Sequence, residues 1–310
     1  MRNTVLIILL CITTVVFSQE KKVTTQDVEI NSLIKGTLFS PANVTKNTKL
    51  IILIAGSGPT NRNGNQIGTQ NNSLKFLAEG LAKNGIAVFS YDKRIFAQMI
   101  NKTIDEKTLS FEDFINDTKD VIAFYKSQKK YSKIIIAGHS EGSLIGMVAA
   151  NGTVDGYISL AGAGRPSDEV IIEQVVKNSP SMKEAVEKDF TLLKKGKTFE
   201  NKNPLLASLF RDSVQPYMIS WIKYNPKNEI KKLSIPILIV NGTRDSQVSS
   251  SDAELLHEAN PKSDLQIIEN MNHIFKEVKT DDEDAKSYSD PKLPVMPKLV
   301  STLTSFINSI

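Results

Sequence analysis

Apolar positions follow two rhythms along this chain. Short, nearly continuous runs rich in β-branched residues occur at 50–55 (LIILIA), 86–91 (IAVFSY), 133–138 (KIIIAG), 156–161 (GYISLA), 235–240 (IPILIV) and 265–269 (LQIIE). Runs of this length, bounded by turn residues, predict strands buried on both faces of a parallel sheet. Between them the spacing becomes helical. Residues 72–85 place Leu74, Leu77, Leu81 and Ala82 on one stripe and stop at Gly85. Residues 110–128 begin with Ser110 and Asp113, the pattern of a capping box, and align Phe111, Phe114, Ile115, Val121, Ile122 and Tyr125. Two further segments, 28–30 and 33–41, read as antiparallel edge strands leading in.

Strand and helix alternation predicts an α/β fold with a mostly parallel, doubly wound sheet. One interval breaks it. From 164 to 231 only helical patterns appear, at 167–179, 182–196 and 203–226, with a kink expected at Pro216. This interval reads as a helical cap inserted between the sixth and seventh strands, over the carboxyl ends where α/β sheets place their sites. The core is then 19–163 together with 232–310.

Residues 1–18 read as a secretory signal peptide. Arg2 precedes the apolar run at 5–17, and Ser18 offers a cleavage point; the run is short for a membrane span. A periplasmic or secreted protein is expected. The single cysteine, Cys11, lies in that leader, so thiol catalysis, disulfides and cysteine-bound metals drop out of consideration. The net charge of +4 is dispersed and argues against nucleic acid as a partner. The acidic cluster 281–284 reads as a solvated loop.

The chemistry is carried by GHSEGS at 138–143, which lies between a buried-strand run and a helical one. A serine on such a strand-to-helix turn is a nucleophile elbow, with Gly138 and Gly142 needed because strand, turn and helix crowd one another. A serine hydroxyl needs a base. Of the three histidines, His139 is expected to turn away from Ser140 and pack, and His257 to sit on a helix face. His273 follows the last strand and is the candidate base. Asp245, past the strand at 235–240, is preferred over Asp168 as its orienting acid. The order Ser140, Asp245, His273 is that of α/β-hydrolases. The glycine-rich loop 54–65 supplies the Ser57 N–H, with Gly56 next, to join the Glu141 N–H in an oxyanion hole. Arg62, Phe210, Tyr217 and Trp221 are candidates for substrate contact. No phosphate loop, dinucleotide fingerprint or metal-ligand cluster is present, and no cofactor is expected. Asn241-Gly242-Thr243 forms a glycosylation sequon that reads as coincidence.

The chain resembles a bacterial serine-hydrolase branch of the α/β-hydrolase superfamily. The resemblance rests on GSGPTNRNG (56–64), YDKR (91–94), GHSEGS (138–143), GTRDSQV (242–248) and NHIFK (272–276), and extends to 214–221 and 288–300. Asn61 and Asn63 replace aspartates of that pattern, and Ile95 and Ser143 replace glycines. The resemblance implies an acyl or carboxyl esterase acting on a small-molecule ester. A peptidase or amidase using the same triad, or a non-catalytic binding protein on the same scaffold, is the alternative. An aminopeptidase would need an acidic cap residue, such as Glu173 or Glu184, for the substrate ammonium.

Overall fold

The computed structural model describes residues 22–310, so the expected leader at 1–18 lies outside the described residues. Eight strands form one sheet in the order β1-β2-β4-β3-β5-β6-β7-β8. The central strands are β3 (Leu50–Ile54), β4 (Ala87–Tyr91), β5 (Ile134–His139), β6 (Gly156–Leu160) and β7 (Ile237–Gly242), each buried along its whole length. Their unbroken apolar character serves two cores at once. Leu50, Ile52 and Ile54 face the helix α3 (Phe111–Gln128) and its neighbours, whereas Ile51 and Leu53 face α1 (Ser73–Lys83). β1 (Thr24–Glu29) and β2 (Lys35–Ser40) pair antiparallel and open the sheet, and β8 (Asp264–Ile268) closes it in parallel with β7. The sheet is mostly parallel and doubly wound, as the alternation predicts, and it has the α/β-hydrolase arrangement that the resemblance implies.

After β3 the chain goes out to β4 and then returns to the other side of β3 as β5, which pairs Ile54 with Gly138. The order of strands therefore reverses between β3 and β5, and their carboxyl ends open a crevice there. The helix α3 starts with the expected box: Ser110 accepts from the Asp113 N–H while Asp113 accepts from the Ser110 N–H.

Between β6 and β7 the chain passes through α5 (Ser167–Asn178), α6 (Lys183–Lys194), α7 (Ala207–Phe210), α8 (Gln215–Trp221) and α9 (Pro226–Ile230), with no strand. These helices share their own apolar cluster, centred on Val186, Phe190, Leu193, Leu206, Phe210 and Met218. The stretch 203–226 is not one kinked helix. Pro216 sits in the first turn of α8, where its missing N–H has no carbonyl to meet, so it begins a helix instead of bending one. The acidic cluster is also a correction: it forms the first turn of α11 (Asp281–Ser287), capped by the Thr280 side chain, because carboxylates suit the positive end of a helix. An unexpected helix, α12 (Pro297–Ser309), lays Leu299, Leu303, Phe306 and Ile307 against the α1 side of the sheet.

Candidate active site

Ser140 follows β5 and precedes α4 (Glu141–Ala150), with φ 54° and ψ −121°, a conformation that a non-glycine residue adopts only under strain. The crowding around it explains both glycines. A Cβ on Gly138 would lie 2.1 Å from the Gly142 carbonyl oxygen, and one on Gly142 would lie 2.5 Å from that of Ala55. The turn thus lifts the hydroxyl into the crevice at the amino end of α4.

Asp245 follows β7 and His273 follows β8. The His273 Nδ1 donates to Asp245 Oδ2 at 2.8 Å, while Asp245 Oδ1 accepts from the backbone N–H groups of Gln247 (2.9 Å) and Val248 (2.8 Å). With every oxygen of the carboxylate engaged, the ring is held in one tautomer and its Nε2 is left without a partner among the described residues. Ser140 and His273 border the same cavity. The loop carrying His273 is itself tied down. Asn272 Oδ1 accepts from the N–H groups of Ile274 and Lys276, and Asn272 Nδ2 donates to Asp284 Oδ1 of the α11 acidic turn at 2.8 Å.

His139 does turn away from Ser140, but it contributes more than packing. Its Nε2 lies 2.9 Å from the His273 carbonyl oxygen, which only accepts, so Nε2 carries the proton. Burial, aided by the neighbouring His273, lowers its pKa from 6.5 to about 3 and keeps the ring neutral. His257, on α10 (Ser250–Ala259), pairs with Ser263 beyond the end of that helix and borders neither cavity at Ser140.

Across the crevice, the Ser57 and Glu141 N–H groups donate to nothing among the described residues, and both residues line the cavity that Ser140 borders. Gly56 lies against the nucleophile: its Cβ position would be 3.2 Å from Ser140 Cβ. The aim of the Ser57 N–H has a cause that the motif alone does not reveal. The Gly56 carbonyl accepts from Lys93 Nζ at 3.1 Å. That carbonyl and the Ser57 N–H belong to one planar trans peptide, so holding the oxygen toward Lys93 turns the N–H the opposite way. Lys93 also donates to Glu141 Oε1 at 2.8 Å, and both side chains are almost completely buried. One ammonium thereby anchors the residues that present both free N–H groups.

The neighbours of Lys93 in YDKR are engaged as well. Asp92 accepts from Arg62, and Arg94 makes a bidentate pair with Asp117 at 2.7 Å and a further bond to Asp113 at 2.9 Å. Ile95, in place of the pattern's glycine, falls in the helix α2 (Arg94–Ile100) and packs against the core. Ser143, the other departure, bonds Tyr157 and Ser159 beneath the elbow, each at 2.8 Å.

Three substrate-contact expectations are corrected. Arg62 binds Asp92 through its Nε and Nη2 and Asp27 through its Nη1, so its charge is spent on the loop framework and it borders neither cavity at Ser140. Phe210 is fully buried in the cap cluster, 5.0 Å from Phe190 between ring centres. Tyr217 faces the core, where its hydroxyl donates to Glu141 Oε1 at 2.7 Å; burial beside that carboxylate pushes the phenol pKa well above its usual value. Only Trp221 of the four lines a cavity, stacked on Phe111 at 5.9 Å. The sequon is closed: Asn241 is fully buried and its Nδ2 donates to the carbonyls of Val248 and Ser249.

The cavity under the cap measures about 500 Å³. Its walls include Leu144, Val170, Ile171, Leu209, Met218 and Trp221, an apolar pocket of a size suited to a small ligand. No group of three or more metal-ligating side chains occurs among the described residues, and no helix among them is long and apolar enough to cross a membrane.

Comparison with known proteins follows the same lines. Esterase EstD of Thermotoga maritima is 29% identical over 231 residues, covering 73% of this chain. The chain spans about half, 54%, of that relative's length. Among solved structures, Est1E from Butyrivibrio proteoclasticus superposes with a TM-score of 0.60 at 16% identity, over 92% of this chain and 98% of its own. A second Est1E structure holds ferulic acid. The Pyrococcus furiosus esterase Pf2001 gives a TM-score of 0.55 at 14% identity, over 93% and 91%. At these identities the structures share the fold. The family match is broader: it runs over residues 37–259, taking in the loop of Ser57, the elbow of Ser140 and Asp245, and on it the chain belongs to the BD-FAE family of the α/β-hydrolase superfamily.

Proposed function

We propose that this protein hydrolyses carboxylic esters through an acyl-enzyme. The observation that carries the reading is the line from Asp245 through His273 to a strained Ser140, facing two unpaired backbone N–H groups. His273 Nε2 removes the Ser140 proton as Oγ attacks the ester carbonyl. The Ser57 and Glu141 N–H groups stabilise the oxyanion. The carbon–oxygen bond to the alcohol then breaks, and the alcohol oxygen takes the proton from His273. Water repeats the sequence, releasing the acid and restoring Ser140. The names of EstD and Est1E support the same activity.

The peptidase alternative lacks its anchor. Glu173 is paired with Arg165, Glu184 is exposed on α6 and lines neither cavity, and Glu141 is held by Lys93 and Tyr217. Among the described residues, no free carboxylate borders Ser140 to receive a substrate ammonium. The apolar cap cavity instead suits an uncharged acyl group, aliphatic or aromatic. The test is turnover of p-nitrophenyl acetate, butyrate and octanoate beside Ser140→Ala. A drop of roughly 10⁴-fold or more is expected in the variant. Cleavage of aminoacyl-nitroanilides with no ester turnover would overturn the reading.

A further inference from the structure

The loops carrying Asp245 and His273 are joined by more than the bond between those two side chains. The short helix α11, which follows both in the chain, meets each of them. Asp284, Ser287 and Tyr288 (just past the helix end) are spaced three and four residues apart, so their side chains leave one face of the turn. Asp284 Oδ2 accepts from Ser246 Oγ at 2.8 Å, one residue past Asp245. Its Oδ1 accepts from Asn272 Nδ2 at 2.8 Å, one residue ahead of His273. The Ser287 hydroxyl also accepts from Asn272 Nδ2 and donates to the Asp284 carbonyl. The Tyr288 hydroxyl accepts from Gln247 Nε2 at 2.7 Å, and the Gln247 N–H is one of the two that hold Asp245 Oδ1.

Asp284 is unlike the other carboxylates of its turn. Asp281 meets Arg244, Asp282 meets Lys286, and Glu283 accepts from the Lys279 N–H; all three are exposed. Those three already complement the positive end of the helix. Asp284 is half-buried and gives both oxygens to neutral donors beside the two triad residues. Hydrogen bonds to a carboxylate are roughly twice as strong as those between neutral groups. Asn272 is fully buried and Ser246 is exposed, so the Asn272 arm carries more of the hold. One anion thereby sets the spacing of two loops that arrive from different strands. Proton transfer leaves little play there, since a misplacement of about 1 Å can cost roughly 10²-fold in rate.

We propose that Asp284 is a positioning residue for the triad, holding the Asp245 loop and the His273 loop in register from outside the crevice. The proposal rests on the ester-hydrolase reading. The experiment compares Asp284→Ala with Asp284→Asn on p-nitrophenyl butyrate, with rates counted per Ser140 titrated to completion by a fluorophosphonate. Asp284→Ala should lower kcat roughly tenfold and leave KM within about twofold, because the triad loosens and the pocket does not. Asparagine can still accept from Asn272 and can donate to Ser246 Oγ, so Asp284→Asn should recover kcat to within about threefold of the wild type. An unchanged kcat in Asp284→Ala, a loss that Asp284→Asn shares in full, or a fall that vanishes when counted per titrated serine would overturn the assignment alone. Should Asp284→Ala not fold, Ser246→Ala removes only the exposed arm and should lower kcat about threefold; no change there would overturn the assignment equally. A wild type that neither cleaves the ester nor is labelled at Ser140 would overturn the hydrolase reading and the proposal with it.

Discussion

The two walls of the crevice are held by different forces. The wall formed by the sheet and its loops is fixed by directional bonds to buried charge: Lys93 to Gly56 and Glu141, Arg94 to Asp117, Asp245 to His273. The cap wall is held by its own apolar cluster and joins the core by packing Trp221 and Tyr217 on Phe111 and Phe114 and through a few polar links. These include Tyr217 to Glu141, the Phe111 N–H to Ser220 Oγ at 2.7 Å, and Arg211 to Glu106. Directional bonds fix atoms to a fraction of an ångström, which proton transfer and oxyanion binding demand. Apolar packing tolerates changes of shape as long as volume is kept. Damage on the first wall should therefore fall on rate and stability, and damage on the second on which acyl group is preferred.

The sharpest way to break this contrast is at Lys93. Lys93→Met leaves Glu141 buried without its counter-charge, held by Tyr217 alone, and frees the Gly56 peptide. The expected cost is roughly 3–5 kcal/mol, lowering the melting temperature on the order of 10 °C. A fall of about 10²-fold in kcat should accompany it as the Ser57 N–H loses its aim. Adding Glu141→Leu should restore much of the stability without restoring kcat, which calorimetry and steady-state kinetics on the pair would read.

His139 gives a smaller effect on the same wall. Its native pKa is depressed from 6.5 to about 3, so in that window the unfolded chain binds a proton that the native chain does not. Its contribution is fully present above pH 6.5 and is lost as pH falls toward 3. Unfolding free energies from urea titrations at neutral pH and at about pH 4.5 should differ by on the order of 2 kcal/mol less in His139→Asn than in the wild type.

The cap wall should give the smallest change. Leu209→Ala enlarges the cap cavity, and the ratio of octanoate to butyrate turnover should rise severalfold, roughly 1 kcal/mol. Comparable loss on both esters would show that the cap is coupled to the chemistry and would erase the contrast.

How much of this was legible in the sequence follows the same division. Ser140, Asp245 and His273 each sit just past an apolar run, so their order along the chain already placed them at strand ends. Loop-to-loop contacts carry no such signal. Lys276 Nζ donates to Asn71 O across 205 positions, joining the His273 loop to the rim of the cavity that His273 borders, and no local pattern announces that meeting. YDKR is visible as a motif, but its role depends on partners on β2, α3, α4 and the Gly56 loop. The helix α12 was missed although Leu299, Leu303 and Phe306 have helical spacing. Pro297 is its first residue, where the missing N–H of proline costs no helical hydrogen bond. In the cap, apolar spacing over 203–226 could not distinguish one helix from several, because short helices around a shared cluster show the same periodicity.

The left-handed backbone of Ser140 has a consequence for how the sequence can drift. Glycine is the one residue that would relax this turn, and the relief would be on the order of 1 kcal/mol or more. Freed from any demand on its hydroxyl, position 140 would have a downhill path to glycine, so that loss of the nucleophile would make the chain more stable. Stability-directed engineering of this protein would then be drawn to a residue it must leave alone.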